Sequence, residues 1–226
     1  MAGDDVRAVV FDLDGVLVQS EELWHEVRRG LAAESGLPWP ADATRAMQGM
    51  STEEWSAYLT DVVGLAGRPP EVAAKVMDQM AARYREALPL LPGAREVVRR
   101  LGDRWPLGLA SSSPRRLIDA VLESAGLADQ FVANVSTEEV GAGKPSPEVY
   151  LNVVRKLGVT PERTVAIEDS SNGLQSAAGA GLRLIAVPNA GYPPADDALA
   201  LADVVVRSLD QIDPQLVAMA GRGRRQ

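Results

Sequence analysis

PLGLASSSPRRLIDAVLESAG, residues 106–126, places a short apolar run directly before a stretch with apolar residues at helical spacing. The run closes on serines and the helix opens at Pro114, so strand passes to helix through a tight loop. The alternation continues downstream. A short strand near 131–135 precedes a helix in SPEVYLNVVRKLG (146–158), a strand in RTVAIED (163–169) and an Ala-rich helix in SNGLQSAAGAG (171–181). Strands in LRLIAVP (182–188) and near ADVVV (202–206) follow. Upstream, GAREVVRRLGD (93–103) is patterned as a helix, and RAVVF (7–11) as a buried strand ending at Asp12. Strands alternating with helices build βαβ units, which predicts an α/β fold with a doubly wound parallel sheet. A ligand site in such a sheet lies at the carboxyl ends of the strands.

One block breaks the alternation. SEELWHEVRRGLAAESG (20–36), STEEWSAYLTDVVG (51–64) and PPEVAAKVMDQMAARYREAL (69–88) all carry helical spacing, with no strand between them. Ser51 with Glu54 forms a capping-box pattern, and Pro69-Pro70 before Glu71 marks a helix start. The block is predicted to be an inserted helical cap of residues 17–88 on a core of 1–16 and 89–226, hinged near 16–20 and 88–93.

The 226 residues include 46% hydrophobic and 24% charged, enough apolar material for a substantial core under an ordinary polar surface. A net charge of −8 argues against nucleic acid as a partner, because phosphate backbones select basic faces. Only the tail GRGRRQ (221–226) is locally basic. The absence of cysteine excludes disulfides, thiolate metal sites and cysteine nucleophiles. No apolar stretch is long enough for a membrane span, and the N-terminus lacks the pattern of a secretory signal. A cytoplasmic monomer or weak homodimer is the expectation.

Polar punctuation falls at the strand ends. Asp12 and Asp14 stand two apart in FDLDGVL (11–17), with Gly15 to turn the chain. Such close carboxylates repel unless neutralised, and a hard divalent cation such as Mg²⁺ is the economical partner. Glu168-Asp169 closes a second strand. Ser111 and Ser112 before Pro114 offer hydroxyls and helix-start N–H groups as a phosphate cradle. Lys144, in the Gly- and Pro-bounded loop GAGKPSPEVY (141–150), can neutralise a phosphoryl group. Taken singly these are an acidic turn, a helix cap, another cap and a surface charge. Gathered at one sheet rim, the four carboxylates call for a metal.

In this chain order the four elements resemble the haloacid dehalogenase-like superfamily of hydrolases, in the branch holding β-phosphoglucomutase and small sugar-phosphate phosphatases. FDLDGVL, GKPSPEVYL (143–151) and VAIEDSSNGLQSAAGAG (165–181) carry the resemblance, which spans about residues 7–210 and includes the cap. It implies Asp12 as nucleophile toward phosphorus and Asp14 as the acid and base. It implies Mg²⁺ on the Asp12 side chain, the Asp14 carbonyl and Asp169, assisted by Glu168. Ser111 and Lys144 would bind phosphoryl oxygens, with Lys144 also offsetting Asp12, and the cap would close over the site. Two departures from the mutase are present: Trp24 stands where that enzyme has a cap His, with His25 displaced by one, and Thr52 stands in the place of a cap Arg. Together they point to hydrolysis of a small phosphorylated substrate, with a phosphoglucomutase-like transfer as the alternative. Gln19 replaces the Asp common in the branch. Core packing is the expectation for most of Trp24, Trp55 and Tyr58 in the cap, with Trp24, nearest the hinge, the one to test for substrate contact, and VPNAGYP (187–193) is expected to form a turn.

Overall fold

The computed structural model describes residues 6–47, 50–189, 191 and 193–220. The basic tail and residues 190 and 192 of the expected turn therefore lie outside it. Contacts divide the chain into two compact units, residues 1–19 with 89–226, and residues 20–88.

Among the described residues the first unit is built on six strands: β1 (Ala8–Phe11), β2 (Leu107–Ser111), β3 (Phe131–Ser136), β4 (Thr164–Glu168), β5 (Arg183–Ala186) and β6 (Val204–Val205). They pair in parallel in the order β3-β2-β1-β4-β5-β6. Order reverses on either side of β1, so the ends of β1, β2 and β4 border the switch point where such sheets bind ligands. The central strands are buried on both faces, which is why they read as unbroken apolar runs.

Among the described residues the second unit holds four helices, α1 (Glu21–Glu34), α2 (Ala43–Ala46), α3 (Thr52–Asp61) and α4 (Pro69–Glu86). α3 opens on the expected capping box: Glu54 N–H donates to Ser51 Oγ at 3.3 Å, and Ser51 N–H to Glu54 Oε2 at 2.7 Å. Pro69 starts α4, and Glu71 reaches back to accept the Arg68 N–H at 3.0 Å. Trp55, Leu59, Val76, Met80 and Tyr84 are among its buried residues.

The remaining helices cover the sheet: α5 (Ala94–Gly102), α6 (Arg115–Ala125), α7 (Glu148–Leu157), α8 (Ser171–Gly179), α9 (Asp196–Leu199) and α10 (Pro214–Ala220). Val10, Ala110, Val135, Ala166 and Leu184 alternate onto one face and pack with Val149, Tyr150 and Val153 of α7 and Leu174 and Ala177 of α8. α5, α6 and α10 pack on β2, β3 and β5. Residues 17–19 stay with the sheet unit, three residues beyond the expected edge of the core. The Leu17 carbonyl accepts the Leu91 N–H at 2.9 Å and the Gln19 N–H donates to the Pro89 carbonyl at 2.8 Å, so the two strands of the connection are laced together there. Among the described residues no helix is long and apolar enough to cross a membrane.

Candidate active site

Register brings the acids together. Phe11 pairs with Ile167 and with Leu109, so Asp12, just past the end of β1, stands beside Glu168 at the end of β4 and Ala110 near the end of β2. Carboxylate oxygens of Asp12, Glu168 and Asp169 lie within 4.8 Å of one another, and all three residues are buried. Lys144 enters from its loop and fills the space between them. Its Nζ donates to Asp12 Oδ1 at 2.5 Å, Glu168 Oε1 at 2.6 Å and the Ala110 carbonyl at 3.1 Å, a match for its three protons, and the Tyr150 hydroxyl lies further off at 3.5 Å.

Asp14 turns elsewhere. The chain after Asp12 folds back, with the Leu17 and Val18 N–H groups on the Leu13 carbonyl and Gly15 N–H on that of Val18. Gly15 sits at φ 85°, and a Cβ there would overlap the Asp169 carboxylate, so this turn needs glycine on both counts. The Asp14 carboxylate lies beside the end of β2, where Ser113 Oγ donates to its Oδ2 at 2.7 Å and Ser111 Oγ at 3.4 Å. Ser111 is fully buried and also accepts the Ser113 N–H at 2.9 Å, whereas Ser112 is exposed between them. Ser170 caps α8 by accepting the Gly173 N–H at 3.1 Å.

The electrostatics follow from this crowding. Burial pushes the Asp12 carboxyl up to about 8; the Lys144 ammonium opposes this, and Glu168 and Asp14 add to it. Burial, then Glu168 and Asp12, push Asp169 up to about 9. Burial alone would lower the Lys144 ammonium, but Asp12 and Glu168 override it and hold it above its ordinary value. One ammonium is too little positive charge for this set of acids. A buried, oxygen-only donor set short of positive charge fits a hard divalent cation.

The family model for haloacid dehalogenase-like hydrolases matches residues 6–181. The chain belongs to the haloacid dehalogenase-like hydrolases. It is a phosphohydrolase, and phosphatases stand among its relatives. Hexitol phosphatase B of Escherichia coli K12 is 35% identical over 214 residues, covering 92% of this chain and 94% of the relative. A phosphorylated carbohydrates phosphatase of Thermotoga maritima is 33% identical, covering 80% and 84%. Of solved structures, a putative β-phosphoglucomutase from Thermotoga maritima superposes with a TM-score of 0.77 at 30% identity, covering 93% of this chain and 98% of that one. Members of this hydrolase family generally use Mg²⁺.

Several residues of this haloacid dehalogenase-like hydrolase that shape its site region were not singled out by sequence. Ser113 is one; its place in a serine triplet hid which hydroxyl faces Asp14. Tyr150 is another, since it reads as part of the apolar face of α7. Gln19 finds a partner in Asn189, whose amide donates to its Oε1 at 3.3 Å. In the helical unit, Trp24 packs edge-on against Trp55 at 5.9 Å, and the Arg28 guanidinium lies 4.7 Å from both rings. His25 Nδ1 pairs with Thr44 Oγ1 at 2.6 Å, and its ring meets Trp39.

Proposed function

We propose that the chain is a Mg²⁺-dependent phosphatase of small phosphorylated sugars or polyols, acting through a phosphoaspartate on Asp12. The observation that carries the reading is the Lys144 ammonium clamped between Asp12 and Glu168, beside Asp169, at the switch point of the sheet. Lys144 takes Oδ1 of Asp12, and among the described residues no hydrogen bond engages Oδ2, the oxygen left for phosphorus. Attack by Oδ2 forms the P–O bond to Asp12 and breaks the bond to the sugar oxygen, which Asp14 protonates. Asp14 then takes a proton from water as that water releases phosphate and regenerates the Asp12 carboxylate. Ser113 holds the Asp14 oxygen in place for both transfers. Ser111 and the start of α6 receive phosphoryl oxygens, and Lys144 keeps negative charge on Asp12 tolerable beside the incoming phosphate.

The cation would be held by the side chains of Asp12 and Asp169 and by the Asp14 carbonyl. Bound there, Mg²⁺ would keep the crowded carboxylates ionised and offset charge on the phosphoryl group. The similarity to hexitol phosphatase B and to the carbohydrate phosphatase supports sugar and polyol monophosphates as the substrate class.

Phosphate release from a panel of hexose and hexitol monophosphates, with Mg²⁺ and with chelator, tests this. Asp12→Asn should remove turnover while the far-UV circular dichroism stays native; retained turnover excludes Asp12 as nucleophile. The likeness to β-phosphoglucomutase keeps one other outcome in view. Were a catalytic amount of sugar bisphosphate to isomerise a sugar monophosphate without net phosphate release, the chain would be a phosphotransferase.

A further inference from the structure

Glu168 reads from the sequence as a metal ligand, yet its oxygens are occupied by protein donors. Oε1 accepts from Lys144 Nζ at 2.6 Å and from the Tyr150 hydroxyl at 2.8 Å. Oε2 accepts the Asp169 N–H at 3.0 Å, the Ser170 N–H at 3.2 Å and the Ser170 hydroxyl at 3.2 Å. A carboxylate has about four lone-pair directions, and five donors converge on this one. The side chain is fully buried and has no room to turn, because the first turn of α8 closes against it at Gly173.

We propose that Tyr150 is a positioning residue of this phosphohydrolase: its hydroxyl fixes Glu168 Oε1, and Glu168 so fixed anchors Lys144 against Asp12 instead of ligating the cation. The inference rests on the reading of Asp12 as nucleophile. An ammonium is a compact charge on a flexible stem with no directional fork of its own, so its place is set by its acceptors. One acceptor, the Ala110 carbonyl, belongs to the rigid sheet; the second, Asp12, is the reacting group. The third, Glu168 Oε1, must therefore hold still while Asp12 changes from carboxylate to acyl phosphate and back. Tyr150 supplies that stillness. It stands on α7 in the core with 0% exposure, its phenol reaches Oε1, and its ring lies 5.0 Å from Lys144 Nζ. Burial and the Glu168 carboxylate hold the phenol well above its ordinary value, so it remains a donor.

The test is a double-mutant cycle on the full chain, with p-nitrophenyl phosphate as substrate at saturating Mg²⁺. Tyr150→Phe keeps ring and packing and removes the donor. Its kcat should fall about tenfold, a loss typical of outer-shell partners. Glu168→Gln should lose more, and the double variant should be at most slightly slower than Glu168→Gln alone, since Tyr150 acts chiefly through Glu168 and its own contact with Lys144 Nζ, at 3.5 Å, is too long for a strong hydrogen bond. Calorimetric titration with Mg²⁺ alone supplies a readout free of turnover. Tyr150→Phe should bind as the native chain does, Glu168→Gln should weaken binding less than about tenfold, and Asp169→Asn more than about a hundredfold. Additive losses in kcat, an unaltered Tyr150→Phe, or a Tyr150→Phe that fails to fold would each overturn the proposal. So would loss of Mg²⁺ binding in Glu168→Gln. Turnover by Asp12→Asn would instead sink the nucleophile reading and leave the calorimetric arm standing.

Discussion

At the scale of single residues, the candidate site separates into two hydrogen-bonded groups that share the strand ends. Lys144 belongs to one, with Asp12 and Glu168; Ser113 belongs to the other, with Asp14. The acids were legible because a charge at the end of an apolar run has no packing reason to be there, and Lys144 because glycines and a proline bound its loop. Ser113 and Tyr150 were not, since a third serine and an aromatic on an apolar helix face are each explained by local structure. Ser113→Ala tests the second group. The Asp14 oxygen would lose its 2.7 Å donor while Ser111, at 3.4 Å, stays too distant to replace it. The expected result is a kcat lowered by about tenfold with KM nearly unchanged, against the 10²–10⁴-fold, roughly, that Asp14→Asn should cost. Steady-state kinetics of the two variants decide it; a raised KM with kcat nearly unchanged would place Ser113 in substrate binding instead.

Elements position these residues through closeness of approach, and α8 gives a paired test of that. Gly173, in its first turn, faces Glu168 so closely that a Cβ would overlap the carboxylate, while a Cβ on Gly179, at its other end, would meet only Pro147 Cβ at 3.7 Å. Helix propensity favours Ala over Gly by up to about 1 kcal/mol at both places. Overpacking against a fixed buried group costs about 1–3 kcal/mol, so the overlap wins at Gly173 and propensity at Gly179. Gly173→Ala should therefore lower the urea midpoint and Gly179→Ala should raise it slightly. Stabilisation by both would mean that Glu168 does not sit against the helix start. This geometry could not be read from SNGLQSAAGAG, where the three glycines look alike. What that stretch did carry was its capped start and its helical length, because those depend on neighbours in sequence alone.

For the whole molecule, the alternation of apolar runs and helical stretches was enough to give a parallel sheet and an inserted helical block, since each βα unit announces itself locally. The closing part was less legible: β6 has two residues, and α9 and α10 are too short to show a period. The charge balance of the site is likewise a property of the folded molecule. In the unfolded chain both Asp12 and Asp169 titrate near the ordinary value of about 3.9, whereas in the fold they are pushed up to about 8 and about 9. Between those values the native state holds protons that the unfolded state has released, so stability falls as pH rises. This contribution is complete below about pH 4 and is gone above about pH 9. The metal-free protein should therefore unfold at a lower temperature at pH 8 than at pH 5.5, to an extent that Asp169→Asn reduces. Mg²⁺ favours the ionised carboxylates, so its stabilising effect should grow over the same interval. At a hundredfold excess over Kd it amounts to about 2.7 kcal/mol. Thermal melts of the native chain and Asp169→Asn, with Mg²⁺ and with chelator at the two pH values, measure both terms. A Mg²⁺ increment that is the same at pH 5.5 and 8, or that survives in Asp169→Asn, would remove the cation from this cluster of acids.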